Sequence, residues 1–459
     1  MLNKINDFLW GWFMILLLSG THIFMTIKTR FIQRKIFKAI RLSVTKEKSA
    51  NGNISPFQSL TASLASTIGT GNIIGMGTAI ALGGPGAVFW CWITGVFGIA
   101  TKYAETLLAL RHRIKKRDGT FSGGAMYILE YGLHAKWLGC LFAVFCVLAS
   151  FGIGAGIQIH AISDIFCQTL DPQNDHTIIL FTYRISTISL LTGLITSPII
   201  GAIIFGGIKY IARLCEIIVP VMALLYISGC VFIILINKEY FIPAIKLILK
   251  SAFSVTAFAG GITGTSITAA ARYGISRGLF SNESGLGSTP IIACSAQSRN
   301  AVRQALISAT ATFWDTVVVC LLSGVVLVSS MLKTPYEFQE LEGARLMFAA
   351  FKQIPFAGTF ILVLGIVMFA FSTIPGWSYY GERCVEYLFD EKAVVLYKKI
   401  FIAVLFISSI ISLDTVWTLS DIFNALMAIP NIIAVLYLSD TVSIETNHYL
   451  YNNRLDSFD

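Results

Sequence analysis

The sequence has few charged residues for its length. Asp, Glu, Lys and Arg make up 13% of the 459 residues, whereas a soluble chain typically carries about a quarter. Hydrophobic residues make up 55%, and apolar runs of about 20 residues, the length that spans a bilayer, recur from Phe8 to Leu438. These features exclude a water-soluble globular enzyme and predict a polytopic helical membrane protein.

The sequence also lacks the motifs of several other function classes. It has no C-x-x-C pair, and its nine cysteines are scattered without Cys/His ligand spacing, which argues against a disulfide framework and a zinc site. We find no catalytic triad, phosphate-binding loop or nucleic-acid motif. We therefore predict a protein that is not an enzyme, has no organic cofactor and binds no nucleic acid, and we make no prediction of its oligomeric state.

The apolar stretch from Phe8 to Leu18 has the length of a signal-peptide core. However, no A-x-A-like cleavage site follows it, and a dense basic run from Lys28 to Lys48 does. Because Lys and Arg collect in cytoplasmic loops, we predict a retained first span whose N-terminus lies outside.

The apolar runs predict about eleven transmembrane spans. Their approximate bounds are 8–27, 56–83, 86–110, 137–164, 178–205, 214–236, 252–271, 304–331, 356–380, 399–413 and 416–438. Ser55-Pro56 predicts the start of the second span, as an N-cap followed by Pro at the first helical position. If successive loops alternate sides, starting from an outside N-terminus, about three times as many Lys and Arg lie inside as outside. These cytoplasmic basic loops explain the formal net charge of +9. The odd number of spans then places the C-terminus in the cytoplasm.

The spans divide into an extra helix and two halves. Residues 1–55 hold the extra N-terminal span and a basic cytoplasmic loop, 56–236 and 252–438 hold five spans each, and 439–459 form a short cytoplasmic tail. Because five is an odd number, the second half must have inverted topology. Glycine-interrupted helices at corresponding places in two such halves indicate a transporter site at the bilayer midplane.

The first interrupted helix is Ser66-Thr67-Ile68-Gly69-Thr70-Gly71-Asn72-Ile73-Ile74-Gly75-Met76-Gly77. Each glycine costs a helix up to about 1 kcal/mol relative to Ala. A break would free carbonyls to hold a cation and N–H groups to hold a carboxylate. The alternative is close helix packing, because Gly71 and Gly75 also form a small-xxx-small motif. A second interruption, Ala257-Phe258-Ala259-Gly260-Gly261-Ile262-Thr263-Gly264-Thr265, lies at the matching place in the second half and favours the functional interpretation.

Longer motifs make the chain resemble the alanine or glycine:cation symporter family, the sodium:alanine symporters. They are Gly69-Thr70-Gly71-Asn72-Ile73, Ala100-Thr101-Lys102-Tyr103-Ala104-Glu105, Arg277-Gly278-Leu279-Phe280-Ser281-Asn282-Glu283, Phe371-Ser372-Thr373-Ile374 and Gly376-Trp377-Ser378-Tyr379-Tyr380. The resemblance runs from about residue 56 to 438. It implies an all-α LeuT-type fold, a 5+5 inverted repeat with two broken helices plus the extra N-terminal helix. It also implies import of a small neutral amino acid, alanine or glycine in L or D form, coupled to Na⁺ across the cell (inner) membrane.

The resemblance also implies two binding sites. The substrate site would comprise Ser66, Gly69, Thr70, Gly71, Asn72, Gln158, Gly260, Gly261, Ile262 and Trp377. The Na⁺ site would comprise carbonyls of Ala65, Ile68 and Phe369 with the hydroxyls of Ser372 and Thr373. For Trp377 the alternative is an interfacial anchor, and for Gln158 it is an interhelical hydrogen bond.

Two residues depart from the family pattern. Pro375 stands where the family usually has an aliphatic residue, removes a backbone donor and can kink the ninth span. Ile262 replaces a more usual Phe, so the size of the pocket and the preferred amino acid stay open.

Charged residues inside the predicted spans need separate explanations. Three roles stay open for Asp315: tuning the binding of the cation, carrying a proton, and forming a hydrogen bond to a neighbouring broken helix. Lys102 and Glu105, spaced i,i+3, are predicted to pair. Two roles stay open for Arg277 and Glu283: part of a gate on the inner side, or an ion pair in a solvated loop. The alternatives to Na⁺ coupling are a proton-coupled symporter and a membrane amino-acid sensor.

Overall fold

The computed structural model describes every residue except 1, 46–51, 118, 172, 174, 181–182, 254–265, 339–340, 342, 412–413 and 459. The α-helices are α1 (Leu2–Leu9), α2 (Trp12–Lys28), α3 (Ile36–Ser43), α4 (Pro56–Thr67), α5 (Met76–Gly83), α6 (Gly86–Arg111), α7 (Ala125–Tyr127), α8 (Lys136–Ala149), α9 (Gln158–Leu170), α10 (Thr187–Phe205), α11 (Gly207–Ile236), α12 (Lys238–Phe253), α13 (Ile267–Asn282), α14 (Pro290–Ala293), α15 (Ala301–Thr312), α16 (Leu321–Lys333), α17 (Ala344–Phe351), α18 (Gly358–Phe389), α19 (Glu391–Ser408), α20 (Asp414–Tyr437) and α21 (Ser439–Thr446). Five π-helical segments, Gly71–Gly75, Ile128–Gly132, Ser150–Ile157, Phe313–Cys320 and Asn447–Tyr451, and two 3₁₀ segments, Ile32–Lys35 and Pro335–Phe338, complete the helical part.

Strands are a minor element and form two antiparallel hairpins. They are β1 (Ile114–Lys115) with β2 (Phe121–Ser122), and β3 (Thr177–Leu180) with β4 (Tyr183–Ser186).

Within the described residues, eight helical stretches are long and apolar enough to cross a membrane. They are Lys4–Lys28, Gly86–Arg111, Lys136–Leu170, Thr187–Phe205, Gly207–Ile236, Ala301–Lys333, Gly358–Phe389 and Val416–Tyr437. The predicted all-α polytopic membrane architecture is therefore confirmed. Of the other predicted spans, the second is split between α4 and Gly71–Gly83, the seventh lies partly in 254–265 and so partly outside the described residues, and the tenth falls in α19.

The predicted start of the fifth span was wrong. Residues 177–186 form the β3–β4 hairpin, and the helix begins only at Thr187. The first strand, Thr177-Ile178-Ile179-Leu180, is rich in β-branched residues, which favour strands although they are as apolar as helix formers.

Two predicted loops contain further helix. The loop expected before the seventh span holds α12, whose charged residues hide an amphipathic pattern that buries Ala244, Ile248 and Ala252. The loop expected after residue 271 begins with the rest of α13, which Ser266 caps by accepting the Ala269 N–H at 3.1 Å. Hydropathy alone misses both segments because half-buried helices keep charge on one face.

Close packing at glycines positions the centre of the fold. A Cβ on Gly376 in α18 would lie 2.1 Å from Ser66 Oγ of α4. A Cβ on Gly154, in the π-helical segment Ser150–Ile157, would lie 2.3 Å from Trp377 Cβ. The absence of these Cβ atoms lets three helices meet at one point, beside the interruption that follows α4. The start of α4 is as predicted, with Ser55 and Gln58 forming a reciprocal capping box.

Candidate functional site

The first predicted interruption is a true break in the helix. α4 ends at Thr67, and Ile68 has an extended ψ of 98°. The Gly69 N–H does not donate to a backbone carbonyl but to Asn72 Oδ1, at 2.9 Å. In a regular helix that N–H would bond the carbonyl of Ala65. The break therefore frees the Ala65 carbonyl for another partner.

The freed carbonyl meets α18 from the other half of the chain. Thr373 Oγ1 lies 2.8 Å from the Ala65 carbonyl oxygen and 2.9 Å from the Phe369 carbonyl oxygen. Ser372 Oγ lies 3.0 Å from the same Phe369 oxygen. The structure thus brings together four of the five residues assigned to Na⁺ by the resemblance, and the fifth, Ile68, is buried at the adjoining end of α4.

A small cavity adjoins these oxygens. It is lined by Ser66, Thr67, Gly69, Gly71, Ile153, Gln158, Phe280, Ser281, Glu283, Thr373 and Trp377. Its volume, measured as the space open to the centre of a water-sized sphere, is about 10 Å³, which is room for about one water molecule. Thr373 belongs to both the cavity wall and the cluster of carbonyls, so the cavity and the cluster share a boundary.

Gln158 and Trp377, two of the residues that the resemblance assigns to the substrate, lie in the cavity wall. The Gln158 side chain spans from Thr70 Oγ1, 3.4 Å from its Oε1, to the Ile153 carbonyl, to which its Nε2 donates at 3.3 Å. Trp377 is buried, so an interfacial anchor does not describe it. Its indole N–H has no hydrogen-bond partner among the described residues. Since buried polar groups are normally paired, this donor at the cavity wall is free to meet a ligand.

Three predicted substrate residues cannot be placed. Gly260, Gly261 and Ile262 fall in 254–265, outside the described residues. Asn72 lies at the break but is not itself a lining residue of the cavity. Its Nδ2 donates to Asp315 Oδ1 at 2.7 Å and to the hydroxyl of Ser281, which does line the cavity, at 2.8 Å.

Sequence reasoning missed part of the cavity wall. Phe280, Ser281 and Glu283 line it, and a Cβ on Gly71 would lie 3.3 Å from the Phe280 ring. The signal was present, since these residues belong to a motif quoted for the resemblance. Glu283 is 2% exposed and accepts from the Ser288 hydroxyl at 2.5 Å, so a solvated loop pair with Arg277 was wrong.

The predicted Lys102–Glu105 pair is confirmed at 3.2 Å and fully buried. The pair also holds the loop after α13, numbered 283–289. Lys102 Nζ donates to the Glu283 carbonyl at 2.9 Å. Glu105 Oε2 accepts from the N–H groups of Gly285 and Gly287, at 3.1 and 3.2 Å. The loop that carries Glu283 into the cavity wall is thereby fixed to α6.

Comparison with known proteins identifies the family. The family model described as the sodium:alanine symporter family matches residues 1–457. The chain belongs to the sodium:alanine symporter family. The sodium/alanine symporter AgcS of Methanococcus maripaludis is 43% identical over 458 residues, which cover 98% of this chain and 96% of that protein. The amino-acid carrier protein AlsT of Bacillus subtilis is 33% identical over 446 residues, with coverage of 96% and 90%.

The fold is confirmed by a solved structure. The crystal structure of MhsT in complex with L-phenylalanine matches 86% of this chain and 98% of that one, with a TM-score of 0.59 at 14% sequence identity. The predicted LeuT-type fold of this sodium:alanine symporter family member is therefore correct. Its family is one of membrane transporters, in agreement with the apolar helices of the chain.

Proposed function

We propose that this protein imports a small neutral amino acid, alanine or glycine in L or D form, with Na⁺ as the coupling ion. We place it in the cell (inner) membrane with its N-terminus outside and its C-terminus in the cytoplasm, as the basic loops favour. One observation carries the proposal: Thr373 joins the freed Ala65 carbonyl to α18 at the edge of a small cavity. The sodium/alanine symporter name of a relative 43% identical supports the choice of ion and substrate.

In this proposal Na⁺ binds where the Thr373 hydroxyl meets two carbonyls. A hydroxyl has one proton, so it can donate to only one carbonyl at a time. Na⁺ among the carbonyls of Ala65, Ile68 and Phe369 and the hydroxyls of Ser372 and Thr373 would attract all of these oxygens together. Binding would hold α18 against the end of α4 and order the broken helix.

The amino acid would bind in the adjoining cavity. Its carboxylate would meet backbone N–H groups around Thr70 and Gly71, at the start of the second half-helix, where the helix dipole favours an anion. Gln158 and the unpaired Trp377 N–H supply further polar contacts, while the Trp377 ring limits the side chain to a small one. Because the cavity of about 10 Å³ holds about one water molecule, it must widen to admit alanine.

Coupling follows if both ligands stabilise the same arrangement of the break. Na⁺ and substrate would act on adjacent residues, so each would increase the affinity for the other by the same factor. No covalent chemistry is required of the chain.

Uptake into proteoliposomes tests the proposal. Radiolabelled L-alanine, D-alanine and glycine would be offered under an inward Na⁺ gradient, an inward K⁺ gradient and a pH gradient without Na⁺. We expect accumulation only with Na⁺, and its loss in Thr373→Ala. Equal accumulation under the pH gradient would mean that the coupling ion is the proton and not Na⁺. Binding of the amino acid without accumulation under any gradient would indicate a sensor.

A further inference from the structure

Asp315 is a buried carboxylate next to the broken helix. It lies in the π-helical segment Phe313–Cys320 and is fully buried. Its Oδ2 accepts from the hydroxyls of Ser281 and Thr316, at 2.8 and 2.6 Å, and its Oδ1 accepts from Asn72 Nδ2 at 2.7 Å. It lines neither the cavity nor the cluster of cation-site oxygens.

These contacts determine which way the Asn72 amide points. The Asn72 nitrogen faces the carboxylate Oδ1 of Asp315 at 2.7 Å, its backbone carbonyl at 3.2 Å and the Ser281 hydroxyl oxygen at 2.8 Å. The Ser281 hydroxyl gives its proton to Asp315 Oδ2, so all three oxygens accept hydrogen bonds here and the amide nitrogen must face them. The amide oxygen is therefore directed to the opposite side, where it accepts the Gly69 N–H at 2.9 Å.

The orientation of Asn72 in turn determines what the Ala65 carbonyl can bind. If the amide were reversed, its NH₂ group would face the Gly69 N–H, two donors opposed. The Gly69 N–H would then lose the acceptor that satisfies it at the break, and the break would be less stable relative to the regular helix, in which that N–H bonds the Ala65 carbonyl. In the structure that carbonyl instead accepts from Thr373 at 2.8 Å. A chain of contacts thus runs from Asp315 through Asn72 and Gly69 to the proposed Na⁺ site.

We infer that Asp315 is a positioning residue, which holds the Asn72 amide so that the Ala65 carbonyl stays available to the cation. The inference rests on the proposed function, because it concerns the same Na⁺ site. It requires a side-chain hydrogen-bond acceptor at position 315, because the backbone carbonyl remains in every variant, and it does not require the negative charge to reach the ion. It also requires that Asp315 act on the cation through the Asn72 amide, which it contacts directly and through the Ser281 hydroxyl.

A double-mutant cycle measures that dependence. The readouts are the Na⁺ concentration for half-maximal alanine uptake in proteoliposomes and the Na⁺-induced rise in Tm of the purified protein. We expect Asp315→Ala and Asn72→Ala each to raise the half-maximal Na⁺ concentration about tenfold, the effect of about one lost buried hydrogen bond. The double variant should lie within about twofold of Asn72→Ala alone.

Asp315→Asn separates position from charge. Its side-chain oxygen still accepts from Asn72 Nδ2, so the half-maximal Na⁺ concentration should stay within about threefold of wild type. Thr310→Val is the matched control, since it removes a buried hydroxyl of the same span that donates to the Ile307 carbonyl of its own helix. It should leave both readouts unchanged.

Two results would overturn the inference. One is an Asp315→Asn variant as impaired as Asp315→Ala, and the other is a double variant whose loss is the product of the two single losses. If Asp315→Ala yields no folded protein, Thr316→Val takes its place in the cycle, because it removes one hydroxyl that holds the carboxylate. Failure of the proposed function is a separate outcome: wild-type protein would then show neither Na⁺-driven uptake nor a Na⁺-induced rise in Tm.

Discussion

Gly154 and Trp377 pack so closely that a Cβ on Gly154 would lie 2.3 Å from the Cβ of Trp377. Real side chains do not approach to that distance, so one of the two helices would have to shift. The contact sets how far the Trp377 ring, a wall of the proposed substrate cavity, stands from Gln158 on the next turn. It links the size of the cavity to a single missing methyl group.

Gly154→Ala should therefore impair transport more than it impairs folding. Overpacking of this kind costs about 1–3 kcal/mol, and here it would displace Trp377 into the cavity. We expect alanine uptake at a fixed Na⁺ gradient to fall about tenfold or more, with glycine less affected than alanine. Gly20→Ala is the matched control, because nothing lies within 4 Å of a Cβ at that position of α2. Normal alanine uptake by Gly154→Ala would contradict the assignment of this cavity to the substrate.

Thr373→Val tests the proposed Na⁺ site with little change of shape. The substitution keeps the branched side chain and removes the hydroxyl that lies 2.8 Å from the Ala65 carbonyl. We expect the half-maximal Na⁺ concentration for uptake to rise about tenfold or more, because one cation ligand is lost and a buried carbonyl loses its partner. Thr373→Ser keeps the hydroxyl and should stay within about threefold of wild type. If the Val and Ser variants showed the same Na⁺ dependence of uptake, the Thr373 hydroxyl would not be a ligand of Na⁺.

The sequence predicted the parts of this site that depend on local pattern. The glycine-interrupted segment after α4 could be recognised from its local pattern, whereas Ser372 and Thr373 were assigned through the resemblance to the family. Asn72 was placed at the break, but its partner Asp315 was not, since the two lie 243 residues apart and no local rule relates them. The choice among three roles for Asp315 needed the direction of its hydrogen bonds.

The boundaries of the helices were less predictable, for a different physical reason. Hydropathy measures transfer to lipid, so it cannot distinguish the apolar strand at Thr177 from the helix that begins at Thr187. It also overlooks α12, which keeps Lys246 and Lys250 on an amphipathic helix. Tertiary contacts decide both cases.

The proposed orientation predicts opposite accessibility of the two ends of the chain. Lys28 at the end of α2 pairs with Asp440 of α21 at 2.6 Å, which places those two helix ends at the same membrane face. With that face in the cytoplasm, the start of the chain lies outside. A membrane-impermeant thiol reagent should label Lys4→Cys in intact cells and label Asn452→Cys only after lysis. All nine native cysteines are buried or partly buried, and the unsubstituted protein corrects for any background. The reverse labelling pattern would invert the topology.

Glu105→Gln should destabilise the protein by releasing the loop after α13. The carboxylate accepts from Gly285, Gly287 and Asn431 on one oxygen and pairs with Lys102 on the other. Gln keeps one acceptor but presents an NH₂ group to a set of donors, and it leaves the buried Lys102 ammonium without its counter-ion. Breaking a buried pair from one side typically costs about 3–5 kcal/mol. We therefore expect a drop in the Tm of the detergent-purified protein of about 5 °C or more.

The matched control separates this buried pair from ion pairs in general. Asp7→Asn removes the partner of Arg272, which is 2.7 Å away, and the side chains of Asp7 and Arg272 are 67% and 37% exposed. An exposed ion pair contributes at most about 1 kcal/mol to the free energy of unfolding, so the Tm of this variant should hardly change. Because the 283–289 loop also carries Glu283 into the cavity wall, Glu105→Gln should lower the affinity for alanine even at temperatures where the protein is folded. A normal Tm with weakened alanine binding would mean that Glu105 orders the loop locally, without holding the α6 and α13 helices together.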